Sequence, residues 1–187
     1  MSMSRLSKGK RKNLNELFSA PVRSKRSRGT SSKANIQVIF DTIEETILEH
    51  LSDLHCKNVV IMAPYFSNKR ILKACSGMEG CSIVTNYDKG MRSKVRADLF
   101  NDLSPLLNGR VRTLNAGCGR NKTLLHTKAV ILLDNERRPF KVLAGSFNLS
   151  ENAANNIEQF TVYNCPIVAT AFYNEFKRVW GISKTFM

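Results

Sequence analysis

The stretch "LLHTKAVILL", residues 124–133, sets one histidine and one lysine in an otherwise apolar run. In an extended chain, residues i, i+2 and i+4 share a face, so His126, Lys128 and Val130 point the same way. An imidazole and an ammonium standing side by side near the start of a buried strand are costly without partners. The next apolar run, "FKVLAGS" (140–146), follows the polar turn "DNERRP" (134–139) and is the natural hairpin partner. Pairing in sequence order carries Ser146, and Asn148 just beyond it, to the end of the sheet that holds His126 and Lys128. A further strand over "NNIEQFTVYN" (155–164) brings Asn156 and Glu158 to the same end.

Working outward, Ile36, Phe40, Ile43, Ile47, Leu51 and Leu54 recur every three or four residues, which predicts one helix with a buried stripe. "KNVVIMA" (57–63) reads as a short strand stopped by Pro64, "NKRILKAC" (68–75) as a helix, and "CSIVTN" (81–86) as a strand. "MRSKVRADLFNDL" (91–103) reads as a helix with basic residues on its exposed side. "GRVRTLN" (109–115) alternates, a strand with Arg110 and Arg112 facing out. "PIVATAFYNEFKRVW" (166–180) begins with proline at a first-turn position and aligns Val168, Phe172, Phe176 and Trp180 on one face. Strands alternate with helices and then follow one another. The pattern predicts an α/β fold with a mixed, largely parallel sheet flanked by helices, and no internal repeat is visible.

The 187 residues suit one domain with a real core and an appended tail. Residues 1–34 are rich in Ser, Lys, Arg and Gly and too poor in apolar groups to hold a core, so they are expected to be disordered. Residues 35–187 are expected to form the folded domain. Of the net charge of +14, residues 1–33 carry +9, from ten Lys or Arg against Glu16 alone. The basic clusters "KGKRK" (8–12) and "RSKRSR" (23–28) read as a solvated tail, a nuclear address, a nucleic-acid-binding arm or an organelle transit peptide. The expected setting is intracellular and soluble, with the nucleus favoured in a eukaryotic cell and mitochondrial import left open. Leu14, Leu17 and Phe18 form one amphipathic turn that can dock on a further partner. The five cysteines form no CxxC pair, which argues against a zinc site or disulfide framework and for a reducing compartment. No apolar run reaches the ~20 residues that span a bilayer.

The polar set at the predicted sheet end contains one nucleophile or general base (His126), one cation (Lys128), neutral donors (Ser146, Asn148) and one carboxylate (Glu158). Lys128 and Asn148 can hold phosphate oxygens, and Glu158 can fix the tautomer of His126. The set has no second carboxylate for a two-metal site, and the histidines lack ligand spacing. His50 and His55, in and just after the first helix, read as surface residues favoured by its dipole. Taken together, "HTK", "GSFN" and "NIE" resemble the His-x-Lys, Gly-Ser-x-Asn and Asn-x-Glu signature of the phospholipase D superfamily. "MAPYFSN" (62–68) resembles the loop after the first strand in its single-motif members. The resemblance covers about residues 36–180. In one respect the sequence departs from it: five residues rather than four separate Lys128 from Asp134. Asp134 is therefore expected to serve the hairpin turn, with the register of His126 against Ser146 open to change.

The resemblance implies a metal-independent phosphodiesterase without cofactor, in which His126 attacks phosphorus and a second histidine protonates the leaving oxygen. With one motif per chain, that second histidine is expected from a homodimer partner across a twofold interface. Basic residues Arg92, Lys94, Arg96, Arg112, Arg120 and Lys122 are expected to approach the site and bind substrate, and no long apolar lip is present for acyl chains. These charges favour a nucleic acid, DNA or RNA, as the substrate. The alternatives are a non-catalytic nucleic-acid-binding or assembly protein that keeps the fold, and a phospholipid hydrolase or phosphatidyl transferase.

Overall fold

Thr42 caps the first helix three residues after a first strand has ended, and so divides the single helix expected there. The computed structural model describes residues 35–86, 110–114 and 124–185. The tail of residues 1–34 and the helix expected at 91–103 lie outside the described residues. Thr42 adopts a left-handed backbone, φ 55° and ψ 32°, which no helix continues through. Before it, Asn35–Ile39 forms strand β1; after it, Ile43–Leu51 forms helix α1. The helical stripe holds only for Ile43, Ile47 and Leu51, which are buried, whereas Ile36, Phe40 and Leu54 are exposed. The β-branched Ile36, Val38 and Ile39 suit a strand, and the ladder offered by a neighbouring strand overrides the 3.6-residue spacing.

The remaining elements follow the expected order. They are β2 (Asn58–Met62), α2 (Lys69–Ser76), β3 (Gly80–Asn86), β4 (Val111–Leu114), β5 (Lys128–Leu133) and β6 (Pro139–Gly145). A 3₁₀ turn (Glu151–Asn155) leads to β7 (Phe160–Asn164), α3 (Pro166–Ile182) and the short β8 (Lys184–Thr185). Asn68 caps α2 by accepting a hydrogen bond from the Ile71 N–H, and Pro166 opens α3. The eight strands form one sheet in the order β1-β7-β6-β5-β2-β3-β4-β8. The sheet is mixed, but the expectation of a largely parallel one is corrected. Only β2–β3 and β3–β4 are parallel, and the other neighbours run antiparallel. A crossover through α2 lets β3 run parallel to β2, whereas the short turn after β5 forces a hairpin.

Side chains alternate between two cores. Val59, Ile61, Ile83, Val130, Leu132, Leu143 and Phe160 face α1 and α2. Val60, Met62, Val84, Ala129, Ile131 and Val142 face α3, where Phe176 and Val179 cover them. Val168, Phe172 and Trp180 pack against the same cluster, as the α3 stripe predicts. Cys56, Cys75 and Cys81 are buried free thiols, and burial pushes that of Cys56 up to about 12.

His50 departs from its expected surface role. It is half-buried with Nδ1 3.3 Å from Lys141 Nζ, and burial followed by that ammonium lowers its pKa. A histidine held only by the helix dipole would be shifted upward.

Candidate active site

His126 and Lys128 sit at the end of the sheet where β2 and β3 finish. β5 starts at Lys128, so His126 lies in the extended segment just before the strand. Lys128 pairs with Gly145, and the register stays regular through Leu132↔Lys141. The irregularity falls between Leu132 and Leu133, at the far end of the hairpin. Phe140 is the residue left without a partner there, so the pairing beside the site, Lys128 with Gly145 and Ala129 with Ala144, is undisturbed. Asp134 does serve the turn. Its carboxylate accepts from the Glu136 and Arg138 N–H groups, both at 2.9 Å, and from Arg138 Nε at 2.8 Å.

Lys128 is buried, and its ammonium donates to His126 O at 2.8 Å while lying 3.3 Å from His126 Nε2. An ammonium only donates, so a hydrogen bond at this contact is made by the tautomer with its lone pair on Nε2 and its proton on Nδ1. The ring itself is exposed. The nitrogen able to attack an electrophile is therefore the one beside the cation. Burial lowers the Lys128 pKa, and the charge of Glu158 opposes that shift.

Gly145 brings the third element in. β6 and β7 approach so closely that a Cβ on Gly145 would collide with Gln159 O and lie 2.8 Å from Phe160 Cα. That approach lets Ser146 N donate to Gln159 O at 2.8 Å and Gln159 N donate to Ser146 Oγ at 3.0 Å. The Ser146 hydroxyl in turn donates to Glu158 Oε2, and Asn156 Nδ2 donates to Glu158 Oε1 at 3.4 Å. Glu158 therefore orients Ser146, not the His126 ring as the sequence suggested. Asn148 is half-buried, and its Oδ1 is enclosed without a hydrogen-bond partner. Among the described residues, no three His, Cys, Asp or Glu side chains gather as a metal site needs.

Of the basic residues expected around the site, Arg92, Lys94, Arg96, Arg120 and Lys122 lie outside the described residues. Arg112 does not face out. Its Nη1 donates to Trp180 O at 2.7 Å and its guanidinium lies 4.7 Å from the Trp180 ring centre, holding α3 to β4.

Sequence reasoning missed Asn86. This buried side chain donates from Nδ2 to Leu125 O at 2.9 Å and accepts from Leu125 N at 2.9 Å. It acts as a one-residue strand that fixes the segment carrying His126. The only signal for it was a polar residue ending an apolar strand. Asn86→Ala leaves a buried N–H and C=O unpaired, at a cost of about 1–3 kcal/mol for each such group. A thermal melt is expected to register that loss, and any activity of His126 is expected to fall with it.

No protein-family model matches the sequence, and no curated protein matches it. Solved structures do. Nuc from Salmonella typhimurium, a phospholipase D family member, is 21% identical with a TM-score of 0.65, covering 82% of this chain and 99% of its own. NucT from Helicobacter pylori is 18% identical with a TM-score of 0.66, covering 82% of this chain and 100% of its own. Phosphatidylserine synthase from Haemophilus influenzae is 11% identical with a TM-score of 0.57, over 74% of this chain and 35% of that one. The mixed sheet, with its His-Lys pair at the end where β2 and β3 finish, thus belongs to a chain with the fold of the phospholipase D superfamily.

Proposed function

We propose that the protein is a metal-independent phosphodiesterase that hydrolyses nucleic-acid phosphodiester bonds as a homodimer. The observation that carries this reading is the exposed His126 ring with Nε2 held beside the buried Lys128 ammonium. In the proposed reaction Nε2 attacks phosphorus and forms an N–P bond while the P–O bond to the leaving group breaks. The leaving oxygen takes a proton from a second imidazole. Water then attacks the phosphohistidine, restoring His126 and returning a proton to that imidazole. Lys128 and Asn148 hold the non-bridging oxygens, and Ser146, fixed by Glu158, completes the cradle.

The second imidazole comes from a second copy. Four large apolar side chains ring this end of the sheet: Phe40 (63% exposed), Tyr65 (45%), Leu124 (65%) and Ile157 (103%). They flank β1, β2, His126 and Glu158 in turn, and a twofold partner that buried them would bring two His126 rings together. Asp41, Glu44 and Glu45 line a neighbouring cleft of about 170 Å³ with Glu158. A polyanion is therefore expected to avoid that acidic cleft and to approach from the His126 side.

The test is incubation of the full chain with labelled single- and double-stranded DNA and RNA in excess EDTA, beside a measurement of its molar mass in solution. Cleavage of at least one substrate by a dimer is expected. Binding without cleavage of any would leave a nucleic-acid-binding protein, and hydrolysis of phospholipid vesicles alone would make it a lipid enzyme.

A further inference from the structure

At the other end of the sheet, a cleft of about 280 Å³ opens between β2–β3 and α3. It reaches Leu133, five residues along β5 from Lys128, so it lies on the order of 16 Å from the His126 end at ~3.3 Å per residue. Its lining holds three cations, Arg110, Arg137 and Lys177, with the rings of Tyr173 and Trp180, and no carboxylate. Among the described residues none of these cations is in an ion pair. Arg110 Nη1 only grazes Glu79 O at 3.5 Å, and Lys177 Nζ lies 5.1 Å from the Tyr173 ring centre. Solvated helix charges elsewhere look different: Arg178, next to Lys177, is held by two hydrogen bonds to Glu175. Gly80 keeps the floor open, since a Cβ there would collide with the Asn58 side chain and lie 3.9 Å from Arg137 Nη2.

Uncompensated cations beside aromatic rings fit one ligand chemistry, a flat heterocycle joined to a phosphate. We propose that this cleft binds a nucleotide unit, with its base against Tyr173 and Trp180 and its phosphate between Arg137 and Lys177. The unit is either a free nucleotide or part of a strand held apart from the phosphodiester at His126. The site does not depend on cleavage.

Trp180 lines this cleft and is the only tryptophan of the chain, so its fluorescence is a direct probe of the cleft. The experiment titrates the full chain carrying His126→Ala, which keeps the strand intact, with AMP, with inorganic phosphate and with a short single-stranded oligonucleotide. A saturable change in Trp180 emission is expected. In an added Arg137→Gln/Lys177→Gln pair, both exposed positions, the affinity is expected to fall about tenfold, equivalent to ~1.4 kcal/mol. Saturation by AMP identifies a free-nucleotide site, and saturation by the oligonucleotide alone identifies a strand contact. No saturable change with either, an equal response to inorganic phosphate, or a response unaltered by the double substitution overturns the proposal. The double variant with His126 intact is expected to keep its cleavage of short substrates, so this result stands apart from the test of His126 chemistry.

Discussion

His126→Ala is expected to lower phosphodiester cleavage by a factor on the order of 10⁴ or more, the scale seen when a covalent nucleophile is removed, while nucleic-acid binding persists. The substitution is structurally mild. The ring is exposed, and among the described residues its one polar side-chain approach is that of Lys128 Nζ at 3.3 Å. The stronger Lys128 bond, 2.8 Å to His126 O, belongs to the backbone and survives. Circular dichroism and the melting temperature should therefore match the parent protein, and fluorescence anisotropy should return a similar affinity for the same oligonucleotide. Loss of binding together with cleavage would mean that the imidazole holds substrate rather than attacking it. Equal cleavage by both proteins would remove His126 from the chemistry.

Gly145→Ala is expected to give the largest loss of stability of any single methyl addition in the described residues. The new Cβ would meet Gln159 O and approach Phe160 Cα to 2.8 Å. Both obstacles are backbone, so β6 and β7 must separate at Gly145↔Phe160. Overpacking of this kind costs about 3 kcal/mol, which for a chain of this size lowers the melting temperature by about 6–12 °C. The same separation pulls the Ser146 hydroxyl from Gln159 N and Glu158, so the site suffers with the fold. Gly181→Ala serves as the control. Nothing lies within 4 Å of a Cβ there, and the position is helical, so the change is expected to be neutral or slightly stabilising. Equal melting temperatures for the two variants would show that β6 and β7 are not so closely joined.

Much of the fold was legible because apolar periodicity in β2, β3, β5, β6 and α3 reports burial directly. The run from Ile36 to Leu54 misled for a physical reason. Its spacing suits a helix, but a left-handed Thr42 and a free ladder on β7 decide the first five residues, and neither is a property of the local pattern. Strand direction was equally hidden, since a buried strand reads the same whether its neighbours are parallel or antiparallel. At the site, the sequence placed His126, Lys128, Ser146, Asn148 and Glu158 at one sheet end but not their pairings. Glu158 could reach either His126 or Ser146, and only the closeness of β6 to β7 at Gly145 selects Ser146. Arg112 was read as outward because strand alternation says nothing of Trp180 arriving from a distant helix to cover it. Asn86 was invisible for a similar reason, because its partner Leu125 lies 39 residues away.

The most direct test of the central claim is to quench a reaction of the wild-type protein with labelled oligonucleotide in alkali, where a phosphoramidate survives, and to map the label by peptide mass spectrometry. A nucleotidyl or phosphoryl adduct is expected on His126 and on no other residue, and is expected to be absent from His126→Ala. Cleavage that proceeds with no adduct on His126, or with an adduct on a different side chain, would contradict it.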